Sequence, residues 1–327
     1  MMKKVKMLGL VLGFMLAAML LVGCGAGKGA VKDGNVKVAL LLPGTINDAG
    51  WSQAAYTGLM DAEKEYDIET SYIESVPLAE QEATIRDYAS RGFDLIICHG
   101  SDFEDAIKLV APEFPDTGFA ITNSQATDKN LIGVGVQNEE QGYMAGYALG
   151  LITKGTVGYV ASNEGYAMKR TENGFIAGVK ASNPSAKVIT AYTGSFDDAA
   201  KGKETALAIF DKGVDCVFQY AQGSGIGVIQ AAAEKKIPVV VTSPKQVGIA
   251  PDQAVMSVMS DMKINILDIV KNYVNGNFGP DLKIVGSFKT GLYKVSDISS
   301  TLINADQKAK IEAKVKELQE GKITFGN

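Results

Sequence analysis

The feature that most constrains the fold is a regular alternation of short apolar runs with longer amphipathic ones. In the first series the strand-like runs lie at 36–42, 72–73, 93–98, 118–121 and 131–136. The same order starts again near residue 139 and continues to a strand-like run at 238–241. Strands that alternate with helices of about 10 to 15 residues are typical of βαβ units on a parallel sheet. The two series therefore predict an α/β chain with two doubly wound lobes.

The segment after residue 241 has too few elements for a third lobe. We expect it to return to both lobes, so that the chain crosses between them several times. The first lobe is then 36–138 plus about 258–283, and the second is 139–257 plus about 284–327. Doubly wound sheets bind ligands at the carboxyl ends of their strands. Two such lobes predict a ligand cleft between them that closes by hinge motion.

The amino terminus has the layout of an export signal. Residues 1–23 combine early lysines with an apolar, uncharged stretch at 8–22, as in a secretory signal peptide. That stretch is shorter than the roughly 20 residues of a spanning helix. The sequence LVGC that ends at Cys24 resembles the bacterial lipobox, in which cleavage leaves a lipidated cysteine as the first residue. We expect a lipid on Cys24, a tether at 24–35, and a location on the extracytoplasmic face of the cell membrane.

Composition argues against several classes of function. The net charge of −5 gives no basic footprint for nucleic acid. Cys98 and Cys216 lie inside apolar strand patterns, which favours buried thiols over a disulfide or a metal site. His99 is the single histidine, so a catalytic triad or a histidine-rich metal site has no support, and His99 stays a minor site candidate because it ends a strand. We expect that the protein is not an enzyme and that it has no catalytic residue, metal or cofactor.

A glycine-rich turn after the strand at 214–220 is the most enzyme-like pattern. Gly223, Gly225 and Gly227 follow that strand and open a helix. Their spacing is G-x-G-x-G, whereas dinucleotide-binding turns have G-x-G-x-x-G and an acidic residue about 20 positions later. We interpret the glycines as a tight turn that lets the backbone or Gln222 reach the cleft.

A polar segment with the single tryptophan follows the first strand. In one interpretation, Asn47 or Asp48 caps the next helix and Trp51 is its first core residue. In the other, Trp51 stacks on a planar ligand while Asn47 or Asp48 bonds the edge of that ligand. We favour the ligand interpretation, because Trp51 lies where a strand-end loop meets the predicted cleft.

Two further strand ends carry the same ambiguity. Ser101 and Asp102 follow the strand at 93–98, and either cap the following helix or bind a ligand, with Asp102 accepting N–H groups of a base. Phe196 precedes a pair of aspartates that can cap the helix beginning at Ala199. Residue type alone leaves both alternatives open.

These motifs occur in the order found in one known family. Together with GYMAG at 142–146 and NGF at 173–175, they resemble the basic membrane protein family, the purine nucleoside receptor lipoproteins of ABC importers. The resemblance implies Rossmann-like lobes in the type I periplasmic-binding-protein architecture. It also implies a small-molecule solute, an ABC permease as membrane partner, and a monomer. Phe196 matches the second wall of the family's aromatic sandwich, which makes it the expected partner of Trp51.

The chain departs from the family where ribose is bound. The family has an aspartate after the strand equivalent to 239–241 and a lysine near 257–261, whereas this chain has 242–246 without a carboxylate and Ser260 or Asp261. Gln246 and Asp261 are therefore candidates to replace those contacts. We expect a purine base or nucleoside as ligand. The alternatives are another small heterocyclic or carbonyl metabolite, or a sensory ligand-binding subunit.

Overall fold

The computed structural model describes residues 35–48 and 50–325. The signal peptide, Cys24 and nearly all of the predicted tether lie outside these residues. Within the described ranges, none of the helices combines the length and apolar character required to cross a bilayer.

The first series of elements forms the expected parallel sheet. Its strands and helices are β1 Lys37–Leu41, α1 Trp51–Tyr66, β2 Glu69–Ile73, α2 Gln81–Ser90, β3 Leu95–His99, α3 Glu104–Val110, β4 Gly118–Thr122 and β5 Leu131–Val136. The strands pair in the order β5-β4-β3-β1-β2, and every pair is parallel. Side chains of β1 alternate between two cores, since Val38 and Leu40 belong to one cluster and Ala39 and Leu41 to the other.

The second series repeats this architecture. Its elements are α4 Asn138–Gly150, β6 Thr156–Ala161, α5 Tyr166–Ser182, β7 Lys187–Tyr192, α6 Ala199–Phe210, β8 Cys216–Tyr220, α7 Gly225–Lys235, β9 Val239–Val241, α8 Pro244–Val247 and β10 Ala254–Ser260. The sheet order is β10-β9-β8-β6-β7, again with parallel pairs. The predicted pair of doubly wound α/β lobes is thus confirmed.

The remaining elements return to both lobes. They are α9 Met262–Val274, β11 Ile284–Gly286, β12 Tyr293–Ser296 and α10 Ala305–Gln319. Helix α9 packs on α1, and β11 extends the first sheet by pairing with β5. Strand β12 joins the second sheet antiparallel to β10. The predicted second-lobe segment starts at about 284, but β11 lies in the first sheet, so this crossing falls after Gly286.

Two of the family-like motifs serve helix packing. Gly142 on α4 and Gly174 on α5 lie where these helices meet, and a Cβ at either would lie 2.0 Å from a backbone oxygen of the other helix. Only glycine permits this close approach. The GYMAG and NGF motifs therefore position α4 against α5.

The first turn of α4 joins the three crossings between lobes. The first crossing leads from β5 into α4. Gln141 Nε2 donates to the carbonyl oxygen of Val258 near the second crossing, at 2.7 Å. The carboxylate of Glu140 accepts from the backbone N–H of Phe288 in the third crossing, at 2.6 Å. These two side chains couple the segments on which the lobes would rotate.

Candidate functional site

A cavity lies between the lobes at the carboxyl ends of both sets of strands. The volume of this cavity is about 50 Å³. From the first lobe it is lined by Pro43, Asp48, Gly50, Trp51, Gly100, Ser101, Asp102 and Asn123. From α4 and the second lobe it is lined by Gln141, Ala167, Met168, Tyr220, Gln222, Thr242, Gln246 and Ser260. Of the predicted site residues, Asp48, Trp51, Ser101, Asp102, Gln222 and Gln246 are brought together here.

Asp48 organises the start of α1 at the edge of the cavity. Its carboxylate accepts backbone N–H groups of Gly50, Ser52 and Gln53 at 2.8, 2.7 and 3.1 Å. Burial raises the pKa of Asp48, and the three backbone hydrogen bonds oppose this shift. The N-cap itself is Gly50 and neither Asn47 nor Asp48, so Asp48 binds the first N–H groups of α1 from two residues before the N-cap and also lines the cavity.

Trp51 is the first residue of α1 and one wall of the cavity. Its indole ring stacks on the imidazole of His99, with ring centroids 4.4 Å apart and an interplanar angle of 24°. His99 is itself fully buried and contacts the hydroxyl of Thr122 through Nδ1 at 3.0 Å. His99 therefore supports Trp51 from behind and is not among the residues that line the cavity.

Ser101 and Asp102 begin the short 3₁₀ turn that follows β3. Neither side chain caps that turn, and the carboxylate of Asp102 points toward Gly165 of the second lobe, where an added Cβ would lie 3.4 Å from its Oδ1. Burial raises the pKa of Asp102. Because the capping alternative is not realised, Asp102 is available as an acceptor for a bound solute.

Among the buried polar atoms of the described residues that lack a hydrogen-bond partner, three belong to second-lobe residues that line the cavity. They are Gln222 Oε1, Gln246 Nε2 and Ser260 Oγ, and all three residues line the cavity. Buried polar groups are nearly always paired in folded proteins. Unpaired atoms that converge on one cavity are what a polar solute would satisfy.

Three predicted site residues are not among those that line the cavity. Asn47 is exposed on the loop before α1. Phe196 packs against the core of the second lobe, and its backbone oxygen accepts from Ser224 N at 2.9 Å. Asp261 pairs with Lys294 of β12 at 2.9 Å and lies in an adjacent groove. A ligand role for these three stays a prediction that would require a different arrangement of the lobes.

Sequence reasoning missed several lining residues. Asn123 directly follows β4 and adopts a left-handed φ of 60°, and Tyr220 ends β8. A polar or aromatic residue at the end of a buried strand was the signal that could have identified both. Met168 and Gln141 lie within the first turns of helices and gave no comparable signal.

The charge of the lining limits what the cavity accepts. Among the described residues that line it, two carboxylates, Asp48 and Asp102, face no lysine, arginine or histidine of the same lining. A phosphate or carboxylate ligand would lie beside like charges in a poorly solvated site, which is unfavourable. Among the described residues, no group of three or more His, Cys, Asp or Glu side chains is placed to hold a metal ion.

Residues 35–324 match the Bmp family model, described as ABC transporter substrate-binding protein PnrA-like. The chain belongs to this family. As a Bmp-family member it is an extracytoplasmic substrate-binding protein of an ABC transporter and not an enzyme. Membership implies a small-molecule ligand and a permease partner.

The chain is also similar to individual relatives and to a solved structure. This Bmp-family chain is 30% identical over 223 residues to the ABC transporter nucleoside-binding protein BmpA of Lactococcus lactis, a match that covers 65% of this chain and 64% of that protein. It is 32% identical over 218 residues to the transcriptional activator protein Med of Bacillus subtilis, covering 66% and 68%. A solved solute-binding protein of an ABC transporter system from Conexibacter woesei has a TM-score of 0.69 at 26% identity, covering 89% of this chain and 99% of that one. These neighbours place the fold among type I periplasmic binding proteins.

Proposed function

We propose that this Bmp-family protein is a lipid-anchored receptor that captures a purine base or nucleoside in the interlobe cavity and delivers it to an ABC permease. The observation that carries the proposal is the stacked Trp51 wall beside unpaired polar atoms of Gln222, Gln246 and Ser260. An aromatic face binds a planar ring, and the polar atoms would bind donors and acceptors on its edge. The nucleoside-binding BmpA relative supports the same ligand class.

The lining supports an uncharged solute over a nucleotide. Asp48 and Asp102 would repel a phosphate, whereas Asp102 can accept N–H groups of a base. A role for Asp102 as the acceptor for the base edge is consistent with its position across from Gly165.

Within this class we propose that a free base binds at least as well as its nucleoside. The carboxylate and lysine that the family resemblance places at ribose are replaced by 242–246 and by Ser260 and Asp261. Asp261 is engaged by Lys294.

Calorimetry on ligand-free protein tests this proposal with adenine, guanine, adenosine and guanosine in parallel, and with AMP as the charged comparison. We expect the bases to bind at least as tightly as the nucleosides and AMP to bind much more weakly. Tight nucleoside binding without base binding would refute the preference for a base. Failure of all four neutral purines to bind would refute the purine ligand itself.

The lipid anchor is tested separately from the ligand. Because the LVGC sequence ends at Cys24, we expect Cys24→Ala to release the protein from the membrane fraction into the medium or periplasm. Cys216→Ala is the matched control and should stay with membranes, because Cys216 is buried in the second lobe. A Cys24→Ala protein that still fractionates with membranes would contradict the lipid anchor.

A second candidate function is a sensory ligand-binding subunit. The similarity to a relative named as a transcriptional activator favours it. Uptake of a labelled purine by cells that lack this protein distinguishes the two roles. Lost uptake that the wild-type gene restores supports the importer, whereas unchanged uptake with altered transcription supports the sensory role.

A further inference from the structure

The side-chain amide of Gln246 has a fixed orientation. Its Oε1 lies 2.6 Å from Nε2 of Gln219 and 3.0 Å from both the backbone N and the Oγ1 of Thr242. A backbone N–H can only donate, so the atom it contacts must be the oxygen of the amide. The usual ambiguity between the two ends of a glutamine amide is therefore resolved by the structure.

This orientation leaves the NH₂ group of Gln246 without a partner among the described residues. Gln246 is only 1% exposed, and its Nε2 is buried. The residue lines the cavity next to Thr242. A buried donor that stays unpaired is costly, so the arrangement favours a bound molecule that supplies an acceptor.

The donor lies across the cleft from the start of α1. A Cβ added at Gly50 would lie 3.9 Å from Gln246 Nε2 and 3.8 Å from Thr242 Oγ1. Gly50 directly precedes Trp51, so the donor is beside the stacking wall. Any larger residue at position 50 would take up space between this wall and the amide.

Gln222, which also lines the cavity with an unpaired side-chain amide, does not define a ligand group in the same way. Its Oε1 is also buried and unpaired, but no backbone N–H fixes which end of that amide is the oxygen. Ser260 can donate or accept through its hydroxyl. Of the two unpaired amides among the described residues that line the cavity, Gln246 is thus the one whose orientation is set by its surroundings.

We propose that the Nε2 group of Gln246, held by Gln219 and Thr242, is a specificity-determining donor that selects solutes with a ring nitrogen or carbonyl oxygen on the edge facing the second lobe. The proposal rests on the proposed function and deepens it, since it names the acceptor that the ligand must present. In this proposal the altered segment 242–246 contacts the ring of the solute and not a sugar.

The diagnostic variant is Gln246→Glu. A carboxylate keeps an oxygen for Gln219 and Thr242 but replaces the donor with an acceptor. Binding of adenine and guanine is measured by calorimetry, and folding is checked by circular dichroism and thermal unfolding. We expect Gln246→Glu to weaken binding about tenfold or more. Gln319→Glu on the exposed face of α10 is the matched control and should bind as the wild type does.

Base analogues identify the acceptor that Gln246 contacts. The 1-deaza, 3-deaza and 7-deaza analogues of adenine each replace one ring nitrogen with C–H. We expect one of them to bind the wild type about tenfold more weakly than adenine but to lose little further affinity in Gln246→Met. Equal losses in wild type and variant for every analogue, or wild-type affinity in Gln246→Glu, would overturn the proposal.

A second measurement separates this inference from the purine assignment. If no purine binds the wild type, the proposed ligand fails, and native mass spectrometry of protein purified from its host then tests Gln246 directly. Loss of the retained solute in Gln246→Glu, but not in Gln319→Glu, supports the donor role. Retention of that solute by Gln246→Glu overturns it. A wild type that carries no solute and binds no purine overturns both proposals.

Discussion

The indole of Trp51 lies on the imidazole of His99, with ring centroids 4.4 Å apart, and the same histidine contacts the backbone oxygen of Trp51 through Nε2 at 3.3 Å. A carbonyl oxygen only accepts, so Nε2 carries the proton and Nδ1 accepts from the hydroxyl of Thr122 at 3.0 Å. His99, the single histidine of the chain, thus positions Trp51, the single tryptophan, by contacts to both the indole ring and the backbone of Trp51.

Trp51→Ala should weaken purine binding by about 1 to 3 kcal/mol, because it removes the stacking face. In the wild type, ligand binding should quench or shift tryptophan fluorescence, since Trp51 is the only tryptophan. Phe196→Ala is the informative comparison and should have a smaller effect, because Phe196 is not among the residues that line the cavity. Unchanged affinity in a folded Trp51→Ala protein would make Trp51 a core residue. An equal loss from Phe196→Ala would indicate the family's aromatic sandwich.

The sequence was sufficient for the fold because hydrophobic periodicity is a local property. The run at 36–42 and the helical spacing after Trp51 predicted β1 and α1 without tertiary information. Strand β12 was not predicted, because it is only four residues long and its position depends on pairing with β10. The crossing after Gly286 was misplaced for the same reason, since β11 is only three residues long.

For the site, the sequence identified the right strand ends but not where each side chain points. Trp51 and Gln246 line the cavity, and their ligand roles stay predictions, while Asp261 forms an ion pair with Lys294. That ion pair depends on β12, which the sequence pattern did not predict. Asn47 precedes α1 in a loop whose direction is set by tertiary contacts. Side-chain direction in strand-end loops is therefore the part that periodicity cannot supply.

His99 should make the folded state less stable in acid. Burial lowers its pKa from 6.5 to about 3, so the unfolded chain takes up a proton below pH 6.5 that the folded chain does not. Stability should fall between pH 6.5 and about 3, with a slope approaching about 1.4 kcal/mol per pH unit from this group. Urea unfolding at several pH values measures this slope in the wild type, in Thr122→Val and in the double variant His99→Phe/Thr122→Val. The double variant should lose this slope while Thr122→Val keeps it, and an unchanged slope in the double variant would contradict the assignment.

Two hydrogen bonds that join the first lobe to the second should stabilise the arrangement of the lobes. Lys245 of α8 donates to Oε1 of Gln53 on α1, and the carboxylate of Asp197 accepts a backbone hydrogen bond from Thr45. Lys245→Ala removes the first contact, so we expect a larger radius of gyration in small-angle scattering and a few-fold weaker apparent affinity. Lys201→Ala, exposed on α6, should match the wild type. A saturating ligand should reduce the radius of both variants, and a wild-type radius that no ligand changes would argue against hinge closure.

Glu140 should make the folded state more stable in acid, which is the opposite of the pH dependence expected from His99. It is 8% exposed in the first turn of α4, and burial raises its pKa from 4.5 to about 7. The adjacent Glu139 also raises this pKa, and the hydrogen bond from Phe288 N lowers it. Of the other nearby groups, Arg170 is paired with Glu139 at 2.6 Å, and the hydroxyl of Tyr293 is buried.

The folded state binds a proton on the Glu140 carboxylate more tightly than the unfolded chain does. The free energy of unfolding should therefore fall as the pH rises from 4.5 to about 7 and then level off. Glu140→Gln keeps an oxygen for Phe288 N but cannot ionise. We expect it to match the wild type near pH 4.5 and to exceed its free energy of unfolding by up to about 3 kcal/mol at pH 8. Urea unfolding at both pH values measures this difference. Glu139→Gln is the control and should destabilise the protein at pH 8, since it breaks the pair with Arg170. A Glu140→Gln protein less stable than wild type at pH 8 would mean that the charged carboxylate holds the third crossing to α4.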